Sequence, residues 1–74
     1  MPRLPRVSPA EAAKALGKAG FERDHQKGSH LTLRHPDGRR TVVPMHTGIV
    51  PLGTLHDIIK QAGLTVEEFQ ALLK

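Results

Sequence analysis

The spacing of the apolar residues changes twice along this chain, and these changes constrain its fold more than any other feature. The spacing is helical over residues 8–20, alternates over residues 21–45, and is helical again from residue 52 onward. A helix, a set of short strands and further helices in this order predict an antiparallel sheet with helices on one face. The 74 residues suffice for one domain. We expect residues 1–7, with two prolines and two arginines, to form an extended basic lead-in.

Capping signals mark where two of the predicted helices begin. Ser8 with Glu11, and Thr65 with Glu68, have the spacing of a capping box, in which each side chain bonds the other residue's backbone N–H. A second helix is predicted over residues 52–62, and a glycine follows each of the first two helices, as expected at a helix end.

Three strands are predicted between these helices, over residues 21–26, 30–35 and 39–45, and the first is polar enough to be an edge strand. The fold class is therefore α+β: a small α-β-β-β-α domain with a short extra C-terminal helix. The predicted core consists of Leu16, Phe21, Leu31, Leu33, Leu55, Ile58, Ile59 and Phe69.

The composition excludes several classes of site. The chain has no cysteine, which excludes disulfides, thiolate zinc sites and a cysteine nucleophile. It has no tryptophan or tyrosine, so an aromatic platform for stacking bases cannot be built. No apolar run reaches the length of a transmembrane helix, and we expect a protein of the reducing cytoplasm that does not contact the membrane.

Positive charge is concentrated in the N-terminal half. Residues 1–40 carry nine Lys and Arg against four Asp and Glu, whereas residues 41–74 carry two against three. This asymmetry favours a polyanionic partner, with nucleic acid as the first candidate. The alternative is a basic surface that serves only solubility.

His30 is the first candidate for catalysis. It follows the turn Gly28-Ser29 at the start of the second strand, on the face opposite Leu31 and Leu33. An imidazole held there and open to water can exchange protons near neutral pH. The alternative is an exposed strand position that tolerates histidine.

Candidate phosphate-binding residues surround His30 in the sequence. The turn offers backbone amides and the Ser29 hydroxyl, and four cationic side chains lie on the same three strands: Lys27, Arg34, Arg39 and Arg40. These groups suit RNA cleavage without a metal ion, because a base takes the 2′-OH proton while cations stabilise the charge that develops on the phosphate.

The other four histidines are weaker candidates. His46 follows the third strand and could approach His30 as a proton partner or RNA contact, or its hydrogen bond could simply fix the loop. His25 and His35 are predicted to be polar strand positions, and His56 to lie on the wet side of the second helix. The five-residue spacing of His25, His30 and His35 predicts successive rings on opposite faces, which argues against a shared metal.

Two non-enzymatic functions also fit these observations. The element order is that of the double-stranded RNA-binding domain, so a non-catalytic RNA-binding module is one alternative. Such a module needs lysines at the start of its second helix to bind phosphates. Here the second helix has only Lys60, near its end, and Asp57 precedes it. The other alternative is an interaction protein whose basic face docks on an acidic partner.

Several blocks of residues resemble the HicA (YcfA-like) toxins in order and spacing, from residue 8 to the C-terminus. These blocks are Gly20-Phe21, Lys27-Gly28-Ser29-His30, Val43-Pro44-Met45-His46, Gly53-Thr54-Leu55 and Ile58-Ile59-Lys60-Gln61-Ala62-Gly63-Leu64. The resemblance implies a fold related to the double-stranded RNA-binding domain and an mRNA-cleaving toxin of a toxin–antitoxin pair. It also implies that a HicB-type antitoxin covers the active histidine, which falls on His30.

From the residues and the resemblance together, we expect a metal-independent endoribonuclease (an mRNA interferase) that needs no cofactor. His30 would act as general base or acid. The contacts of Lys27, Ser29 and Arg34 with RNA are inferred from the residues alone, and the resemblance gives His46 no firm role.

Overall fold

The computed structural model of the chain describes residues 4–45 and 48–74. The elements are α1 (Pro9–Lys18), β1 (Glu22–Lys27), β2 (His30–Arg34), β3 (Arg40–Pro44), α2 (Leu52–Gln61) and α3 (Val66–Leu72). This order confirms the predicted α+β class, with α-β-β-β-α followed by one short helix. Within the described ranges, no helix combines the length and apolar character that crossing a bilayer requires.

Both predicted capping boxes are present. At the start of α1, Ser8 N–H donates to Glu11 Oε1 at 2.9 Å and Glu11 N–H donates to Ser8 Oγ at 3.1 Å. The Ser8 backbone N–H, and then its hydroxyl, lower the pKa of the Glu11 carboxyl below its usual value. Thr65 and Glu68 make the same reciprocal pair before α3. Because these bonds satisfy backbone N–H groups that the helix itself cannot pair, they fix where each helix begins.

The three strands form one antiparallel sheet in the order β1-β2-β3. Leu31 pairs with Val43 and Leu33 with Thr41, and all four side chains are buried on the face that the helices cover. Every residue of the predicted core is buried. The core also contains residues that the helical and alternating spacing did not select: Val7, Ala15, Val43 and Val50.

The described part of the lead-in, residues 4–7, is held against the core, and residues 1–3 of the predicted lead-in lie outside the described residues. Val7 is buried, and its carbonyl accepts a hydrogen bond from Val50 N–H at 2.8 Å, just before α2. Leu4 also packs against the core cluster. The chain that enters α1 and the chain that enters α2 are thereby joined.

A β-bulge in β1 changes which side chains share a face. Arg23 pairs with Leu33 and His25 with Thr32, so Asp24 is the extra residue between them. Strict alternation would have placed His25 on the face of Arg23, but the extra residue places it on the other face. The expectation that His25 and His30 lie on opposite faces is also wrong, for a separate reason. Lys27 pairs with His30 across the turn, and His25, two residues before Lys27 in regular strand, shares its face.

His35 lies beyond the end of β2 and not at a strand position as predicted. Its ring packs edge-on against Phe21 with 5.2 Å between centroids, and its Nδ1 accepts a hydrogen bond from Asp37 N–H at 3.1 Å. With about a fifth of its side chain exposed, His35 helps to hold the β2–β3 loop against the end of α1.

Candidate functional site

The sheet face turned away from the helices, called here the open face, carries most of the predicted site. Register and alternation assign it three cross-strand rows. These rows are Lys27, His30 and Pro44; then His25, Thr32 and Val42; then Glu22, Arg34 and Arg40.

His30 is the first residue of β2 and is exposed, on the face opposite the buried Leu31. The preceding turn needs Gly28, whose φ of 59° is left-handed, and it is tied to the far strand by Met45 N–H donating to Ser29 O at 2.6 Å. His30 is thus held on the central strand, with Lys27 opposite it on one side and Pro44 on the other.

Three of the four predicted cations lie on the open face, in two groups. Lys27 shares the row of His30, whereas Arg34 and Arg40 face each other at the other end of the open face. Two like charges directly opposite each other destabilise a sheet. Two carboxylates lie beside Arg34: Glu22 pairs with it across the strands, and Asp24 Oδ2 lies 3.7 Å from Arg34 Nη2. An arginine pair of this kind is a suitable site for an anion.

The Arg39 side chain contacts α2 and the end of α1 instead of the open face, and these contacts stabilise the fold. Its Nη1 donates to Ala62 O at 2.6 Å, its Nε donates to Asp37 Oδ2 at 2.8 Å, and its guanidinium lies 5.3 Å from the ring centroid of Phe21. Ala62 caps the C-terminus of α2, where helix carbonyls lack partners within the helix. Arg39 therefore joins the β2–β3 loop to α2, and we leave it out of the proposed RNA contacts.

The remaining predicted residues are placed as follows. Ser29 is half-buried in the β1–β2 turn, and His56 is exposed on α2 as predicted. His46 lies outside the described residues. Among the residues that the structure describes, no group of three or more His, Asp or Glu side chains is arranged to hold a metal ion.

The open face carries a second imidazole, that of His25, which the sequence did not indicate as a strong catalytic candidate. His25 Nδ1 is 3.0 Å from Asp24 Oδ2, with 61% of the histidine side chain exposed. Neighbouring residues of a regular strand point to opposite faces, and the bulge is what allows Asp24 and His25 to meet. The sequence contains the Asp-His pair but gives no signal for the bulge.

Comparison with known proteins identifies the family of this chain. The family model described as the HicA toxin of bacterial toxin–antitoxin matches residues 9–64 of the 74. No curated protein matches the chain at a significant level. The match spans α1, all three strands and α2, together with the turn that precedes His30. The resemblance noted in the sequence is thus confirmed, and the chain belongs to the HicA family of toxins from bacterial toxin–antitoxin systems.

Proposed function

We propose that this toxin is a metal-independent endoribonuclease that cleaves mRNA with His30 as general base or acid. The observation that carries the proposal is the position of His30. It is exposed on the central strand, beside Lys27, on a face whose far end carries two more cations. Family membership supplies the toxin role, and this geometry supports the chemistry.

The reaction needs only groups that RNA and this face supply. The His30 imidazole takes the proton from a ribose 2′-OH, and the 2′-oxygen attacks the adjacent phosphorus. The bond from phosphorus to the 5′-oxygen breaks, which leaves a 2′,3′-cyclic phosphate, and the departing 5′-oxygen takes up a proton to become a 5′-hydroxyl. Lys27, next to His30, stabilises the negative charge that develops on the phosphate.

Binding depends on charge in this proposal. Arg34 and Arg40 hold a neighbouring phosphate, because an anion between them relieves their repulsion. The Ser29 hydroxyl and His46 stay predicted RNA contacts. RNA affinity should therefore fall steeply with salt, since phosphate contacts displace counterions.

The open face also suggests how the toxin is inactivated. A toxin of this family functions with an antitoxin. We propose a HicB-type antitoxin that covers the open face, because this face carries both His30 and the cations that would bind RNA.

The proposal is tested with His30→Ala, and His56→Ala is the matched control because its imidazole is exposed on α2. Cleavage of a long RNA is followed in excess chelator, and circular dichroism checks that both variants fold. Wild type and His56→Ala should cut, and His30→Ala should not. Expression should arrest growth for the first two proteins only.

Cleavage by His30→Ala at the wild-type rate would contradict the mechanism. Tight binding of double-stranded RNA by the wild type, without cleavage or toxicity, would instead identify a non-catalytic RNA-binding module. Negligible RNA affinity would indicate an interaction protein.

A further inference from the structure

We propose that His25 is the second proton-transfer residue of this site and protonates the leaving 5′-oxygen. The inference rests on the proposed function, in which His30 takes the 2′-OH proton. Cleavage by this route needs a proton removed from one oxygen and a proton delivered to another, so a second acid–base group on the same face is expected.

The register of β1 and β2 brings the two histidines together. His25 pairs with Thr32, and His30 precedes Thr32 by two residues on the same face, so the histidines are diagonal neighbours across the two strands. Such neighbours lie about 7–8 Å apart, within reach of each other's long side chains. Imidazole rings on diagonal neighbours can each form a hydrogen bond of about 2.8 Å to the same phosphodiester.

Asp24 determines how the His25 ring is presented. An ionised carboxylate can only accept hydrogen bonds, so the contact of 3.0 Å between Oδ2 and Nδ1 requires the hydrogen on Nδ1. Nε2 is then the nitrogen that meets RNA. Arg34 Nη2, at 3.7 Å, lies against the same Oδ2 atom and helps to hold it. The arrangement of an acid–base histidine oriented by a third group recurs in enzymes of unrelated fold.

The full step conserves every proton. His30 accepts the proton of the 2′-OH, the bond from the 2′-oxygen to phosphorus forms, and the bond from phosphorus to the 5′-oxygen breaks. Nε2 of protonated His25 donates its proton to the departing 5′-oxygen. Exchange with water then returns both imidazoles to their starting states.

The test replaces the leaving group. One dinucleotide substrate has the natural 5′-oxygen, and the other has sulfur at that bridging position, whose thiolate departs without being protonated. His25→Ala should cut the natural substrate about 100-fold more slowly than wild type, within the range for loss of a general acid. It should cut the sulfur substrate at nearly the wild-type rate.

Three further variants make the result specific. His30→Ala should be slow on both substrates, and His56→Ala should match wild type on both. Asp24→Ala should show a smaller loss than His25→Ala, and on the natural substrate only. This pattern is expected if Asp24 acts by positioning His25. A general loss of folding would instead slow the cleavage of both substrates.

Two results would overturn the role of His25 and leave that of His30 intact. In the first, His25→Ala cuts the natural substrate as fast as wild type. In the second, it is equally slow on both substrates, which would mean that His25 binds RNA and does not deliver a proton. If folded wild type cuts neither substrate, the proposed function itself fails.

Discussion

Gly20 lies directly against His35, so closely that a β-carbon at position 20 would be 2.9 Å from His35 Nε2. Gly20 also has a φ of 100°, which side chains other than glycine rarely adopt. The end of α1 and the β2–β3 loop therefore meet at a glycine, beside the packed rings of His35 and Phe21.

Gly20→Ala should lower the free energy of unfolding by about 2 kcal/mol, because backbone strain adds to the displacement of His35. Gly17→Ala is the matched control. Gly17 is helical with open space around its Cα, so alanine should raise stability by about 0.5–1 kcal/mol. Urea unfolding measures both, and equal effects of the two substitutions would contradict this account.

Arg39→Lys should lower the free energy of unfolding by about 1–2 kcal/mol and leave RNA binding unchanged. Lysine lacks the planar fork of donors with which Arg39 bonds Ala62 O and Asp37 while its guanidinium lies over the Phe21 ring. Unfolding by urea and RNA binding at several salt concentrations are the measurements. A variant with wild-type stability but weakened RNA binding would place Arg39 among the RNA contacts instead.

Arg40→Gln should change stability and RNA binding in opposite directions. Without RNA, removing one of two facing cations should raise stability by about 0.2–1 kcal/mol. With RNA, it should reduce the slope of log affinity against log salt by roughly 0.7–0.9, the loss of one phosphate contact. Lys60→Gln removes a cation from α2 and is the control, whose slope should stay at the wild-type value. Identical slopes for Arg40→Gln and wild type would exclude the arginine pair as a phosphate site.

Asp37 should make the protein sensitive to acid. The Arg39 backbone N–H, and less strongly its guanidinium, hold the pKa of the Asp37 carboxyl below its ordinary value. A folded-state pKa below the unfolded one gives stability that is complete above about pH 4 and is lost as the pH falls through the folded value. Asp37→Asn should therefore lose less stability than wild type between pH 6 and pH 2 in urea unfolding. Parallel acid profiles would show that Asp37 makes no such contribution.

The features that could be predicted from the sequence depend on neighbouring residues. The bonds between Ser8 and Glu11 close within a single helical turn, so their spacing alone gave the start of α1. The exposure of His30 followed in the same way from alternation with Leu31.

The features that could not be predicted depend on distant partners. The carbonyl that Arg39 binds belongs to Ala62, 23 residues away, so nothing local distinguishes Arg39 from Arg40. The bulge at Asp24 is defined by how β1 pairs with β2, so the sequence of β1 alone does not reveal it. The shared face of His25 and His30 depends on the pairing of Lys27 with His30 across the turn, a register that a five-residue spacing does not reveal.

The bulge has a further consequence for how molecules of this protein behave toward one another. β1 forms one margin of the sheet, and all six of its side chains are polar and exposed. A bulged, charged edge strand is a poor template for pairing with a strand of another molecule. The other edge strand, β3, ends at Pro44, which has no N–H to donate. The irregularity that brings Asp24 beside His25 thus also discourages edge-to-edge pairing of β1 with a strand of another molecule.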